Sequence, residues 1–273
     1  MNPGNLPPTL FPVLLFKKIL NFSSEAVAAS DKRGATRYAA GHPFPFKSIV
    51  TLIGHDGEGR PLPNDKHGQD WAGRLVNLSA TGASMQIHSA AAGIRGEPCK
   101  FKLSLDGFLL EIPGTVAHFR NYPQYVLCGV SLNFTDPELQ KAYLQVLEPV
   151  IIGATLAPVD PKSVKQETPG LYREQFRNAK NCALNVWRSG PGGEIQSFDF
   201  RLDNYGVRWG SGMTELEIYF RNDLKGKGTA PPFGGRLTDA QQEEVRWLFC
   251  LSVPNLPKSV PADIRKFLGQ LVA

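Results

Sequence analysis

The sequence predicts a mainly β protein: an antiparallel β-barrel closed by a C-terminal helix, followed by a smaller α+β domain. Three observations carry this. Between residues 44 and 134 short apolar–polar alternations recur at close intervals, which is the pattern of a small barrel. They run into Thr135-Asp136-Pro137-Glu138, a capping-box pattern with proline near a helix start. Beyond residue 170 a second series of short strands gives way to two helical stretches.

The elements follow in chain order. Residues 1–9 hold three prolines and a glycine and read as irregular. Leu10 to Phe22 reads as a short amphipathic helix after Pro12, with Leu15, Phe16, Ile19 and Leu20 packing on the protein itself. Lys17 and Lys18 make too weak a basic face for a membrane surface. The eleven residues from Leu10 to Leu20 are too short and too interrupted for a signal peptide or a transmembrane span. Residues 1–30 are therefore an N-terminal extension, and Asp31 to Gly41 an exposed connector.

Barrel strands are expected at Phe46–Ile53, Gly73–Asn77 and Gly82–His88, the last with Ala83, Met85 and Ile87 alternating. Gly54 to Asp70 is a Gly/Pro/charge-rich insertion, tolerable at a hairpin tip because doubling a loop costs only about 0.6 kcal/mol. Phe101, Leu103 and Leu105 alternate into Asp106-Gly107, a favoured tight-hairpin dipeptide, and Phe108–Ile112 runs back. Thr115–Arg120 and Tyr125–Phe134 supply further strands around a turn at Asn121 to Pro123. In the helix that follows, Leu139, Tyr143, Val146, Leu147 and Val150 recur at helical spacing and should cover one barrel mouth, with Pro149 ending the regular part.

The barrel domain is thus placed at 31–155, a linker at 156–170 and the α+β domain at 171–273. That last part has predicted strands at Cys182–Arg188, Ile195–Leu202, Tyr205–Trp209 and Leu216–Phe220, with turns at Gly190–Gly193 and Asp203-Asn204. Lys225 to Gly235 reads as a flexible stretch. Thr238-x-x-Gln241 is a second capping box, followed by Val245, Leu248 and Phe249. A last helix starts at Pro261 and buries Ile264, Phe267, Leu268 and Leu271.

Composition narrows the function classes. A chain of 273 residues with 42% hydrophobic and 10% aromatic content folds, and as two domains rather than one. The net charge of +5 and pI near 9.0 favour anionic partners without selecting nucleic acid or lipid. Cys99, Cys128, Cys182 and Cys250 form no Cys-x-x-Cys pair and read as buried thiols of a cytosolic protein, not as zinc ligands or a disulfide framework. His55, Asp56, Glu58, Asp65 and His67 in the insertion read as a solvated loop rather than a cation site. No phosphate-cradling Gly-x-x-x-x-Gly-Lys, Gly-x-Ser-x-Gly elbow or dinucleotide fingerprint is present, so nothing supports an enzyme, a cofactor or a metal.

Two short motifs remain, Arg33-x-x-x-Arg37 and Asn77-x-Ser79-x-x-Gly82. Each arginine offers a planar fork for a phosphate or for the O6/N7 edge of guanine. Asn77 and Ser79, two apart on a strand, leave the same face, and Gly82 permits a turn. Taken singly, the arginines are ordinary solvated charges and Asn77 and Ser79 the polar entry to a turn. Together they suit a small guanine-bearing anion.

At these residues the chain resembles the PilZ domain family, and Leu127-Cys128-Gly129-Val130-Ser131-Leu132-Asn133-Phe134 looks like that family's last barrel strand. The resemblance covers roughly residues 31 to 150 and departs from the family's pattern at the long Gly54–Asp70 insertion. It implies a six-stranded antiparallel barrel of the PilZ type and a cytoplasmic bacterial receptor for the second messenger cyclic di-GMP, taken up as one or two stacked molecules. It also implies Lys32 as a further phosphate contact beside Arg33, Arg37, Asn77, Ser79 and Gly82, and an unidentified downstream protein as partner.

Two rival readings keep the barrel. One is an adaptor that works by protein contact without ligand. The other is a single-stranded nucleic-acid binder, which needs aromatic and basic residues interleaved on one strand face; Phe101-Lys102 with Phe119-Arg120 offers too little, so no nucleic-acid partner is expected. Asp203-Asn204-Tyr205-Gly206 faintly repeats the second motif, lacks a preceding Arg-x-x-x-Arg, and reads as a hairpin turn.

Overall fold

The computed structural model describes residues 36–42, 44–56, 58–63, 68–105, 108–179, 181–220 and 237–272. The expected helix at 10–22, the dipeptide Asp106-Gly107, the stretch 225–235, and Lys32 and Arg33 lie outside these residues. The chain divides into two compact units. Among the described residues one takes Phe46–Val146, the other 36–45 and 147–272.

A two-residue strand, β1 (Tyr38–Ala39), comes first in the chain. The first unit is then built from β2 (Lys47–Leu52), β3 (Gln69–Ser79), β4 (Gly82–His88), β5 (Pro98–Leu105), β6 (Phe108–Asn121) and β7 (Tyr125–Leu132). Their order is β3-β2-β5-β6-β7-β4, and β4 pairs back onto β3, so six antiparallel strands close into a barrel. Alternate residues point inward, and Val50, Leu78, Met85, Phe101, Ile112 and Val126 are fully buried.

The sequence reading places two strands where the structure has one, β6. This strand pairs with β5 through its first half and with β7 through its second. The changeover falls at Pro113-Gly114. Pro113 has no N–H to give, but its carbonyl accepts from Asn133 N at 2.8 Å. A Cβ on Gly114 would stand 2.6 Å from Ser131 O, so only glycine lets β7 pass so close. A dipeptide that reads as a break is where one long strand changes neighbours.

The insertion is also better anchored than a solvated loop. His55 bridges to Pro61 across its neck, and Asp56 Oδ1 accepts from the backbone N–H groups of Glu58 and Arg60, each at 2.9 Å. The His55 imidazole Nδ1 is hydrogen-bonded to Glu97 Oε2, with side chains 13% and 1% exposed. Glu97 Oε2 also accepts from Ile94 N at 3.1 Å, which leaves Oε1 buried without a partner.

Helix α1 (Pro137–Ala154) begins at Asp136, whose Oδ1 accepts from Glu138 N at 2.9 Å; Asp136, not the expected Thr135 box, caps the helix. The helix continues through Pro149 instead of ending there. A proline removes one main-chain hydrogen bond, and burial of Val150 and Ile152 beyond it holds the last turn in place.

The second unit is an antiparallel sheet ordered β13-β12-β11-β10-β9-β8. Its strands are β8 (Ala157–Pro158), β9 (Tyr172–Arg177), β10 (Ala183–Arg188), β11 (Ile195–Leu202), β12 (Tyr205–Gly210) and β13 (Glu217–Phe220). Asp203, at φ +59°, turns the β11–β12 hairpin, so the faint motif echo there is a turn. Helices α2 (Asp239–Ser252) and α3 (Ala262–Val272) pack on one sheet face. Phe249 of α2 lies 5.9 Å from both Phe198 and Phe200, and Phe267 of α3 lies 5.1 Å from Trp209. The Thr238 capping box has both of its reciprocal hydrogen bonds.

Strand β9 is absent from the sequence reading, and the expected linker holds β8 and a 3-10 turn at Pro161–Ser163. Tyr-Arg-Glu-Gln-Phe-Arg shows no apolar alternation because its polar groups bond within the sheet. Glu174 Oε2 accepts from the buried Arg188 at 2.5 Å, and Gln175 Nε2 donates to Asn185 Oδ1 at 2.6 Å. Arg188 also donates to Asp263 Oδ2 at 2.6 Å, which fixes the start of α3 to β10.

Candidate functional site

The candidate site lies where β3 turns into β4. The register sets Asn77 opposite Ser84, Leu78 opposite Ala83 and Ser79 opposite Gly82, with Ala80 and Thr81 as the turn. A bulge between Leu75 and Asn77 inserts Val76. The extra residue lets both Leu75 and Leu78 point into the barrel and puts Asn77 and Ser79 on the other side of the strand, where Asn77 is half-buried and Ser79 is buried. Asn77 is half-buried, and its amide makes no hydrogen bond among the described residues.

The turn is held from behind by Tyr143 of α1. Its fully buried hydroxyl lies 2.8 Å from Ser79 O and 3.1 Å from Gly82 O, and burial pushes its phenol pKa up, so it stays a donor. Ser79 Oγ donates to Gly82 O at 3.3 Å. Gly82 is needed for a different reason from the one its sequence context suggests. The turn precedes it, its φ is not in the left-handed region, and a Cβ there would stand 2.8 Å from Val130 O of β7.

The same outer face continues across β4 onto β7 and β6. Gly82 faces Ser131, Ser84 faces Gly129, and on β6 Thr115 faces Ser131 while His118 faces Gly129. The His118 ring lies directly over Gly129, where a Cβ would meet Cε1 at 1.9 Å. Of these small residues Ser84 and Gly129 are buried, Gly129 beneath the half-buried His118, while Ser131 and Thr115 are exposed. Gly129 and Ser131 enter the sequence reading as part of the last barrel strand and not of the site, and Ser84 and His118 are not read as site residues; the spacing Gly129-x-Ser131, the same as that of Asn77-x-Ser79, is the one signal.

Arg37 belongs to the other unit and is exposed. Four residues on, its segment is fixed: Gly41 N donates to Asn255 Oδ1 at 2.7 Å, and a Cβ on Gly41 would overlap Pro254 O at 1.7 Å. Lys32 and Arg33 are not among the described residues.

Comparison with known proteins adds little. No protein-family model matches the chain, and no curated protein does. Several solved structures resemble it, two of them PilZ domains. One is the PilZ domain with c-di-GMP of YcgR from Escherichia coli, 11% identical over 43% of this chain and 90% of that one, with a TM-score of 0.32. The other is the PilZ domain of CeSA from a cellulose synthesizing bacterium, 15% identical over 41% of this chain and 95% of that one, with a TM-score of 0.27. At such scores they carry no argument about ligand or partner, and the barrel rests on its own strand pairing.

Other chemistry finds no footing in the described residues. No three metal-ligating side chains converge there, and no helix is long and apolar enough to cross a membrane. Burial pushes the Cys99 and Cys128 thiols up to about 12, with Glu97 adding to both, so neither is a nucleophile at neutral pH.

Proposed function

We propose that the chain is a non-enzymatic cyclic di-GMP receptor of the bacterial cytoplasm that acts on a downstream protein. The observation that carries this reading is the outer face at the β3–β4 junction. Asn77, Ser79 and Gly82 share it, the Asn77 amide is uncommitted, and Tyr143 immobilises the turn behind them. A rigid, partly exposed polar face beside small residues suits a flat, doubly charged ring system.

In this reading Lys32, Arg33 and Arg37 take the phosphates and the guanine edge, while Asn77, Ser79 and Gly82 offer the barrel surface. The segment carrying the arginines becomes ordered when ligand arrives, and that change is what a partner senses. Such a switch requires the ligand to bind the ordered state better than the free one.

Titration calorimetry with cyclic di-GMP, beside cyclic di-AMP, GTP and a short oligonucleotide, tests the proposal. Adenine lacks the O6 acceptor, and a charged donor left without its partner costs about 1.5 to 3 kcal/mol, so cyclic di-AMP should bind at least about tenfold more weakly. Equal affinities sink the guanine-reading role of the arginines. Absence of cyclic di-GMP binding sinks the receptor.

A further inference from the structure

Helix α3 has two working faces. On one, Ile264 and Leu268 are buried and Phe267 packs on Phe198 and Trp209 of the sheet. On the other, Ala262, Arg265, Lys266, Gly269 and Val272 fall at the i, i+3, i+4, i+7 and i+10 positions of a single stripe. This stripe forms one wall of a half-open cavity of about 310 Å³. The 3-10 turn that follows α2 forms another through Val253 and Pro254, with Leu256 just beyond it. His42 also lines the cavity, one residue after the Gly41 N–H that is bonded to Asn255. All of these residues belong to the second unit.

The stripe leaves room because it carries a glycine. Glycine is a poor helix former, and no close neighbour demands one here: a Cβ on Gly269 would meet nothing within 4 Å. What the missing side chain leaves is space, in a cavity of the size that small-molecule sites have.

The charge of the lining is one-sided. Among the described residues it holds Arg265, Lys266 and His42 and no carboxylate. No ion pair engages Arg265 or Lys266 among the described residues, and Asp263 beside them in the sequence accepts from Arg188 instead. Arg265 Nε donates to Val260 O at 3.0 Å, which holds the guanidinium plane and leaves its two terminal nitrogens as a fork. Such a fork matches the two oxygens of one carboxylate. Val253, Leu256 and Val272 add apolar wall that a bare ion would leave uncovered. We propose that this cavity binds a small carboxylate with an apolar body, the carboxylate on Arg265 and Lys266 and the body against Val253, Leu256 and Val272. The site shares no residue with the cyclic di-GMP site proposed above.

The test is calorimetric titration of the whole chain with three probes. Phenylacetate has the charge and the body, acetate the charge without the body, and phenylethanol the body without the charge. Phenylacetate should bind saturably, and at least about tenfold more tightly than either of the others. Arg265→Gln should weaken it at least about tenfold, and Arg265→Lys, which keeps the charge and loses the fork, should recover only part of that. Lys266 is exposed, so Lys266→Gln should fold as the native chain does and still bind more weakly. Gly269→Leu fills the cavity without touching a charge and should abolish binding. Replacing a helix glycine that has open space beside it should leave the thermal midpoint unchanged or raise it, so binding lost there is not fold lost. No dinucleotide is present in these titrations, so their failure and that of the receptor reading are read apart. The proposal is overturned if phenylacetate does not bind, if acetate or phenylethanol binds as tightly, or if Gly269→Leu leaves binding intact. It is overturned equally if light scattering shows a dimer that Gly269→Leu dissociates, which would give the cavity to a second copy of the chain.

Discussion

Arg37 is the residue whose substitution separates a binding role from a structural one. It is exposed, and no hydrogen bond or ion pair holds it among the described residues. Arg37→Ala should therefore leave stability within about 0.5 kcal/mol in a thermal melt. The same variant, and Arg33→Ala, should weaken cyclic di-GMP binding at least about tenfold by calorimetry. Arg37→Lys is the sharper measurement, because it keeps the charge and loses the planar fork: full retention of affinity would reduce the contact to a point charge on phosphate. At this scale the sequence reveals Asn77 and Ser79 as neighbours on one face, because a spacing of two encodes a strand face locally. It conceals Gly82's actual constraint and the seating of His118 over Gly129. Both depend on which distant strand lies alongside, which no local spacing carries.

Elements join through polar contacts that hydrophobic patterning cannot show. His55 ties the insertion to Glu97 ahead of β5, and the pair is nearly fully buried. His55→Phe leaves the Glu97 carboxylate without that partner, so urea unfolding should show a loss of about 3 kcal/mol or more; pairing it with Glu97→Leu should recover most of this. In the second unit Asp263 joins α3 to β10. The hydrogen bond from Arg188 holds its carboxyl below the ordinary value, against the opposing effect of burial. A depressed folded pKa means that the contribution is complete above the ordinary carboxylate value and disappears as pH falls through the folded one. The urea midpoint should therefore fall in acid more steeply for the native chain than for Asp263→Asn, and equal slopes would remove Asp263 from the account. The same two features explain what the pattern misses. Strand β9 hides because Glu174 and Gln175 are bonded inward rather than exposed, and β6 looks broken because Pro113-Gly114 is a change of neighbour. The strands that do read correctly, β4 and β5 among them, are those with one apolar and one polar face.

At the scale of the whole molecule the proposal is that ligand orders the segment before the barrel. Hydrogen exchange resolves it residue by residue. Gly41 N is already bonded to Asn255, so that amide should be slow without ligand, as should the barrel strands. The gain in protection on adding cyclic di-GMP should fall within residues 31–40, which carry the arginines ahead of that fixed point. Because residues 36–45 belong to the second unit by packing, protection gained there should extend past Arg37 as far as residue 40, next to the already fixed Gly41, rather than stop at Arg37. Gly41→Ala offers the companion measurement. Its Cβ would overlap Pro254 O, so the segment must leave its seat; the variant should keep the barrel's protection and lose that at residue 41. Slow exchange at Arg33 to Arg37 before any ligand is added would mean a pre-formed site, and ordering would have to be abandoned as the mechanism even with binding established.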